Sequence, residues 1–166
     1  MSKFKGKKIL VLGCGVGTLT IPLAKAVGSG KVYATDISEK DLLIARRRII
    51  KKCLYNVRTF HDPIHLKRLH PKVPDVDAVI SVGMLGYFQD PLDVLKVVNR
   101  KLSVDSPIVF VDYDKYFDVI PNQDWLRHNG AITRTFKRAG FKIEIIRRQG
   151  FAWRYVMIHG HKVNSI

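Results

Sequence analysis

Three glycines at alternate positions, Gly13, Gly15 and Gly17, follow an apolar run, Ile9-Leu10-Val11-Leu12, near the start of this 166-residue chain. A helical pattern from Thr18 to Val27 comes next, and a second apolar run, Lys31 to Thr35, ends on Asp36, nineteen residues after Gly17. Glycine lets a backbone turn sharply and approach a ligand with no Cβ in the way. An acid at the end of the next strand accepts hydrogen bonds from ribose hydroxyls. The combination is chemistry for holding an adenosine-containing ligand. Dinucleotide sites use Gly-x-Gly-x-x-Gly; here Thr18 stands at that third position and the third glycine comes one residue early.

Other residues able to do chemistry sit just after apolar runs. They are His61-Asp62, Ser81-Val82-Gly83-Met84 with Tyr87 beyond, and Asp112-Tyr113-Asp114. Ligands of open α/β sheets bind outside the carboxyl ends of the strands, so these residues and the glycine loop are expected to share one edge.

The elements that must position them alternate. The pattern predicts strands over Lys8–Leu12, Lys31–Thr35, Asn56–Phe60, Val76–Val82, Pro107–Val111, Phe141–Arg148 and Ala152–Gly160. Helices are predicted from Thr18 to Val27, from a Ser38 cap with apolar Leu42, Ala45, Ile49 and Ile50, after Asp90-Pro91 with Leu92, Leu95, Val98 and Leu102, and from about Asn122 to Ala139. A short helix can follow His61-Asp62-Pro63. The short Gln149-Gly150 connection requires an antiparallel hairpin, in whose core Phe151 and Trp153 are expected to pack. The implied fold class is α/β: a three-layer Rossmann-like sandwich on a seven-stranded, mostly parallel sheet with a terminal antiparallel hairpin.

Composition sets bounds. Hydrophobic residues make up 46% and charged residues 26% of the chain, as in an ordinary globular domain, and residues 1–166 are expected to form one. No apolar run reaches membrane-span length. The basic N-terminus has no apolar segment of the signal-peptide kind before the first strand. The two cysteines, Cys14 and Cys53, suggest neither a metal site nor a disulfide framework, so a cytoplasmic location is expected. The net charge of +15 favours an anionic partner such as nucleic acid or an acidic macromolecule, although a solvated basic surface has the same composition.

Gly13-Cys14-Gly15-Val16-Gly17 after a strand, with Asp36 ending the second, resembles the first two motifs of the class I S-adenosylmethionine-dependent methyltransferases. Asp62 resembles that family's acid for the adenine amino group, and Asp77 to Pro91 resembles its strand-four motif. The resemblance runs from Lys8 to Lys162 and is of the small ubiquinone/menaquinone-biosynthesis type. It implies S-adenosyl-L-methionine as cofactor and S-adenosyl-L-homocysteine as product. It also implies contacts from Gly13, Cys14, Gly15, Gly17, Asp36, Ile37, Asp62, Ser81 and Gly83. Two features depart from the family. Val11 replaces an acid common two residues before the first glycine, and with strand one beginning by residue 8 no N-terminal lid is expected.

The acceptor is not legible. Methyl transfer needs a general base only where the nucleophile carries a tightly held proton. His61, Tyr87, Asp112 and Tyr113 are the candidates for that role. An open, basic face suits RNA, a protein, a small molecule at an anionic surface, or a homodimer whose neighbour covers the site. The alternative is a non-catalytic cofactor-binding module acting as a partner or nucleic-acid-binding subunit.

Overall fold

The computed structural model describes residues 4–62, 69–116, 124–151 and 153–166, with residues 114–116 described by their backbone. Its strands form a seven-stranded sheet in the order β3-β2-β1-β4-β5-β7-β6, mostly parallel with an antiparallel pair at one end. The chain divides into two compact units, Met1–Ile80 and Ser81–Ile166.

In the first unit, β1 (Lys8–Leu12), α1 (Thr20–Val27), β2 (Lys31–Asp36), α2 (Glu39–Lys51) and β3 (Val57–His61) follow one another. β2 pairs in parallel with both β1 and β3. Strands buried on both faces read as continuous apolar runs, and Ile9 to Leu12 are all within 1% of full burial. Val11 packs with Val32, Ala34, Leu23 and Leu42, so an acid at that position would lie in the core. Asn56 donates from Nδ2 to the carbonyls of Ala24 (2.8 Å) and Gly28 (3.1 Å) and so closes the end of α1. α2 opens with Ser38 Oγ accepting the Asp41 amide at 3.2 Å, the predicted cap. It closes with Cys53 N–H on Ile50 O and Leu54 N–H on Ile49 O, a Schellman pair that puts Cys53 at φ 52°.

β4 (Ala78–Val82) ends at the start of the second unit, which continues with a 3-10 turn (Leu85–Tyr87) and α3 (Leu92–Arg100). β5 (Pro107–Tyr116), α4 (Asp124–Arg127), α5 (Asn129–Arg138), β6 (Phe141–Gln149) and β7 (Trp153–Lys162) complete it. β7 is antiparallel to both β5 and β6, so β6 runs parallel to β5. Phe136 of α5 meets Phe110 and Phe141 edge-on at 5.6 and 6.3 Å between ring centroids, which packs α5 on one face of these strands. At the end of α3, Lys162 donates from Nζ to the carbonyls of Leu102 (2.7 Å) and Asn99 (3.0 Å), while Asn99 Nδ2 donates to Ala139 O and Asn164 O.

Several boundaries differ from expectation. β5 continues five residues past Val111, because pairing with β7 runs on to Tyr116↔Trp153 through an irregularity between Tyr113 and Lys115. Asp112-Tyr113-Asp114 therefore lies on a strand and not in a loop. The helix expected over Asn122–Ala139 is two, since His128 takes an extended conformation (φ −111°, ψ 113°) as the cap of α5. Its start at 122–123, and the short helix expected after Asp62, lie outside the described residues. Phe151 and Trp153 are not hairpin core: Phe151 is fully exposed and Trp153 is 36% exposed. Phe151 lies in the turn between β6 and β7 and Trp153 opens β7, so both sit at the tip of the hairpin.

Candidate functional site

The glycine loop in the first unit takes a left-handed backbone at all three alternate positions, with φ of 65°, 50° and 84° at Gly13, Gly15 and Gly17. Two of these glycines do different work. A Cβ on Gly17 would stand 3.3 Å from the Cβ of Ala45, so this glycine lets α2 close onto the loop. A Cβ on Gly15 would meet nothing within 4 Å, so the space over that residue is open for a ligand.

The loop is fastened to the end of β2. Cys14 N–H donates to Thr35 O at 3.0 Å, and Gly15 N–H donates to Asp36 Oδ2 at 2.7 Å. The other oxygen, Oδ1, accepts Ser38 N–H at 2.9 Å. A carboxylate has about four lone-pair positions, so two backbone donors fix its plane and leave acceptor capacity on each oxygen. That suits a pair of neighbouring hydroxyls. Ile37 beside it is 52% exposed, an apolar surface suited to a flat ring. Arg48 of α2 donates to Val16 O at 2.8 Å and holds the loop from the far side, a contact that local motif reading does not find.

Cys14 contributes backbone. Its thiol is buried in the core, and burial, with the charge of Asp36 second, pushes its pKa up to about 12. It is neutral at physiological pH and is not a nucleophile.

His61 and Asp62 end β3 in the same unit. Asp62 is 4% exposed and its N–H donates to Asp36 O at 2.9 Å, so its backbone is tied directly to that of Asp36. His61 Nε2 lies 3.0 Å from Ile37 O and must donate, since a carbonyl only accepts; Nδ1 lies 3.6 Å from Glu39 Oε2. Glu39 also binds Arg46 at 2.6 Å. The imidazole is thus held through Nε2 at the start of α2, and its approach to Glu39 is an ion pair only when the ring is protonated.

The remaining predicted residues belong to the second unit. Ser81 is buried at the end of β4. Gly83 donates its N–H to Val111 O at 2.8 Å and has φ 73°, and a Cβ there would meet nothing within 4 Å. Asp112, 5% exposed, accepts Gly86 N–H on Oδ2 and Tyr113 N–H on Oδ1, both at 2.8 Å. Burial raises its pKa above the ordinary carboxylate value, opposed by those backbone donors. Asp112 therefore pins the 3-10 turn to β5. Tyr87 and Tyr113 are exposed, at 79% and 38%. Among the described residues no group of three or more His, Cys, Asp or Glu is placed to hold a metal ion. Nor is any helix there long and apolar enough to cross a membrane.

A family model described as a methyltransferase domain matches residues 9–105, more than half of the chain. The chain belongs to the methyltransferase-domain family. Among curated relatives, a demethylmenaquinone methyltransferase of Geobacillus stearothermophilus is 44% identical over 103 residues, 60% of this chain and 42% of the relative. A tRNA U34 carboxymethyltransferase of Stutzerimonas stutzeri is 28% identical over 149 residues, 82% of this chain and 45% of the relative. This methyltransferase-domain chain thus spans less than half the length of either. The crystal structure of a SAM dependent methyltransferase from Aquifex aeolicus superposes with a TM-score of 0.79 at 21% identity, over 96% of this chain and 84% of that one. That likeness is one of fold, and this chain's own sheet ends in the antiparallel pair expected from the sequence.

Proposed function

We propose that this chain binds S-adenosyl-L-methionine and transfers its methyl group to an acceptor, releasing S-adenosyl-L-homocysteine. The observation that carries this is the Asp36 carboxylate, clamped by the amides of Gly15 and Ser38 with lone pairs to spare, beside a glycine loop with open space over Gly15. Asp36 would take the ribose hydroxyls, Ile37 would lie on adenine, Asp62 would accept from its amino group, and Gly13 to Gly17 would pass close to the ligand backbone-first. Ser81 and Gly83 would serve the methionine end. When bound, the cofactor supplies a methyl on a sulfonium, which departs from a neutral thioether.

The protein's task is then positioning. Holding a nucleophile about 3 Å from the methyl, in line and away from water, supplies roughly 7–11 kcal/mol. The candidates for meeting an acceptor are His61, Asp112, Tyr87 and Tyr113, of which Asp112 is buried and the two tyrosines are exposed. Both cysteines are free thiols, in keeping with a cytoplasmic protein. A second copy of the chain is a further candidate to cover an open site.

Transfer of tritiated methyl from labelled S-adenosylmethionine into fractionated cell extract tests the activity and sorts the acceptor into RNA, protein or small molecule. Label in one fraction supports catalysis. Cofactor binding with no incorporation into any fraction would support the non-catalytic module instead.

A further inference from the structure

The three strands β5, β7 and β6 are covered unequally. Ile108, Phe110, Val156, Ile158 and Phe141 are buried on the face that α5 packs against. The alternate residues point the other way and are exposed or half-buried. Register lines them up in rows: Pro107, His161 and Lys142; Val109, His159 and Glu144; Val111, Met157 and Ile146; Tyr113, Tyr155 and Arg148. Directly paired residues share a face, so these rows form one continuous surface.

That surface is aromatic at one end. Trp153 stacks on Tyr155 with ring centroids 5.6 Å apart and planes 10° from parallel, and Tyr113 meets Tyr155 edge-on at 6.5 Å. Trp153 lies against Gly150, where any Cβ would collide with the indole, so the turn holds the ring in place. Phe151, fully exposed, projects beside it. A groove of about 590 Å³ continues the surface at the other end, lined by Pro107, Val109, Lys142, Glu144, His159 and His161. Register places the basic Lys142 and Arg148 on this face beside the acid Glu144, and Asp105 also lines the groove, within a chain of net charge +15.

We propose that this open face binds single-stranded nucleic acid. Rings fixed on a sheet give flat platforms for bases, and basic side chains around them attract the phosphates. The net charge of +15 favours a polyanion, Arg148 stands in the row of Tyr113 and Tyr155 to meet a phosphate, and the ordered Trp153–Tyr155 pair selects a partner with exposed flat bases. The surface lies wholly in the second unit and stands independently of Asp36.

The test is fluorescence anisotropy with a labelled uridine 12-mer RNA on the full chain, at two salt concentrations, with each variant's thermal unfolding recorded. Wild type should bind and weaken steeply with salt. Trp153→Ala and, separately, the exposed Phe151→Ala should each weaken binding about tenfold, and Arg148→Gln should reduce the salt dependence. Asp36→Ala should leave RNA binding unchanged. Binding that survives both aromatic substitutions and follows charge alone would overturn the proposal. So would failure to bind RNA, whether or not phosphatidylglycerol vesicles capture the protein.

Discussion

Asp36 and Gly15 are joined by a hydrogen bond of 2.7 Å from the glycine amide to the carboxylate, so the two halves of the ligand cradle orient each other. Removing the carboxylate takes away the proposed ribose acceptor and the loop's anchor together. Asp36→Ala is expected to weaken S-adenosylhomocysteine binding by about 1–3 kcal/mol, read by calorimetry. Unchanged affinity would mean that the ribose lies elsewhere.

The two thiols should behave oppositely. Cys14 is buried with its pKa raised to about 12, whereas Cys53 is exposed. An aromatic disulfide reagent at pH 8 should titrate one thiol in the folded protein and two in denaturant. Fast labelling of both in the native state would contradict the buried loop.

Cys53 also holds a left-handed conformation at φ 52°, which costs a residue with a Cβ about 1–2 kcal/mol. Glycine relieves that and loses some chain entropy. Cys53→Gly should stabilise the fold by about 0.5–1 kcal/mol in denaturant unfolding; a loss of stability would contradict the cap.

Asp112 gives a pH signature. Its folded pKa is raised, chiefly by burial, so the native state binds the proton more tightly than the unfolded chain. Its contribution to stability is therefore largest below the ordinary value of 3.8 and falls as pH rises through the raised folded value. Measured across acid pH, wild type should lose stability relative to Asp112→Asn as pH increases. Parallel profiles would show that the carboxyl is not desolvated.

Much of the first unit is legible in the sequence because it is local. The alternating glycines, the Ser38 cap, and Asp36 at a strand end lie within a few dozen residues of one another, and their chemistry is carried by residue type. What escapes such a reading depends on distant partners. The length of β5 is set by β7, about forty residues later, and no feature between Val111 and Tyr116 announces it. Lys162 lies past the last strand expected from the pattern, yet it caps α3 through Asn99 and Leu102, sixty or more residues away. Lys162→Met should remove the ammonium donor from the carbonyls of Leu102 and Asn99, the second of which keeps the Leu102 amide at 3.1 Å, and cost roughly 1–3 kcal/mol in thermal or denaturant unfolding; a change near zero would contradict that role. The aromatic residues of the hairpin pass for core in the sequence because hydrophobicity alone does not say which sheet face a helix will cover.

The most direct test of the cradle is isothermal titration of the protein with S-adenosylmethionine, S-adenosylhomocysteine and NAD in parallel. The third glycine at Gly17 with Thr18 in the dinucleotide position, and the terminal antiparallel pair, predict binding of the first two and none of NAD at comparable concentration. Preferred binding of NAD would contradict the account.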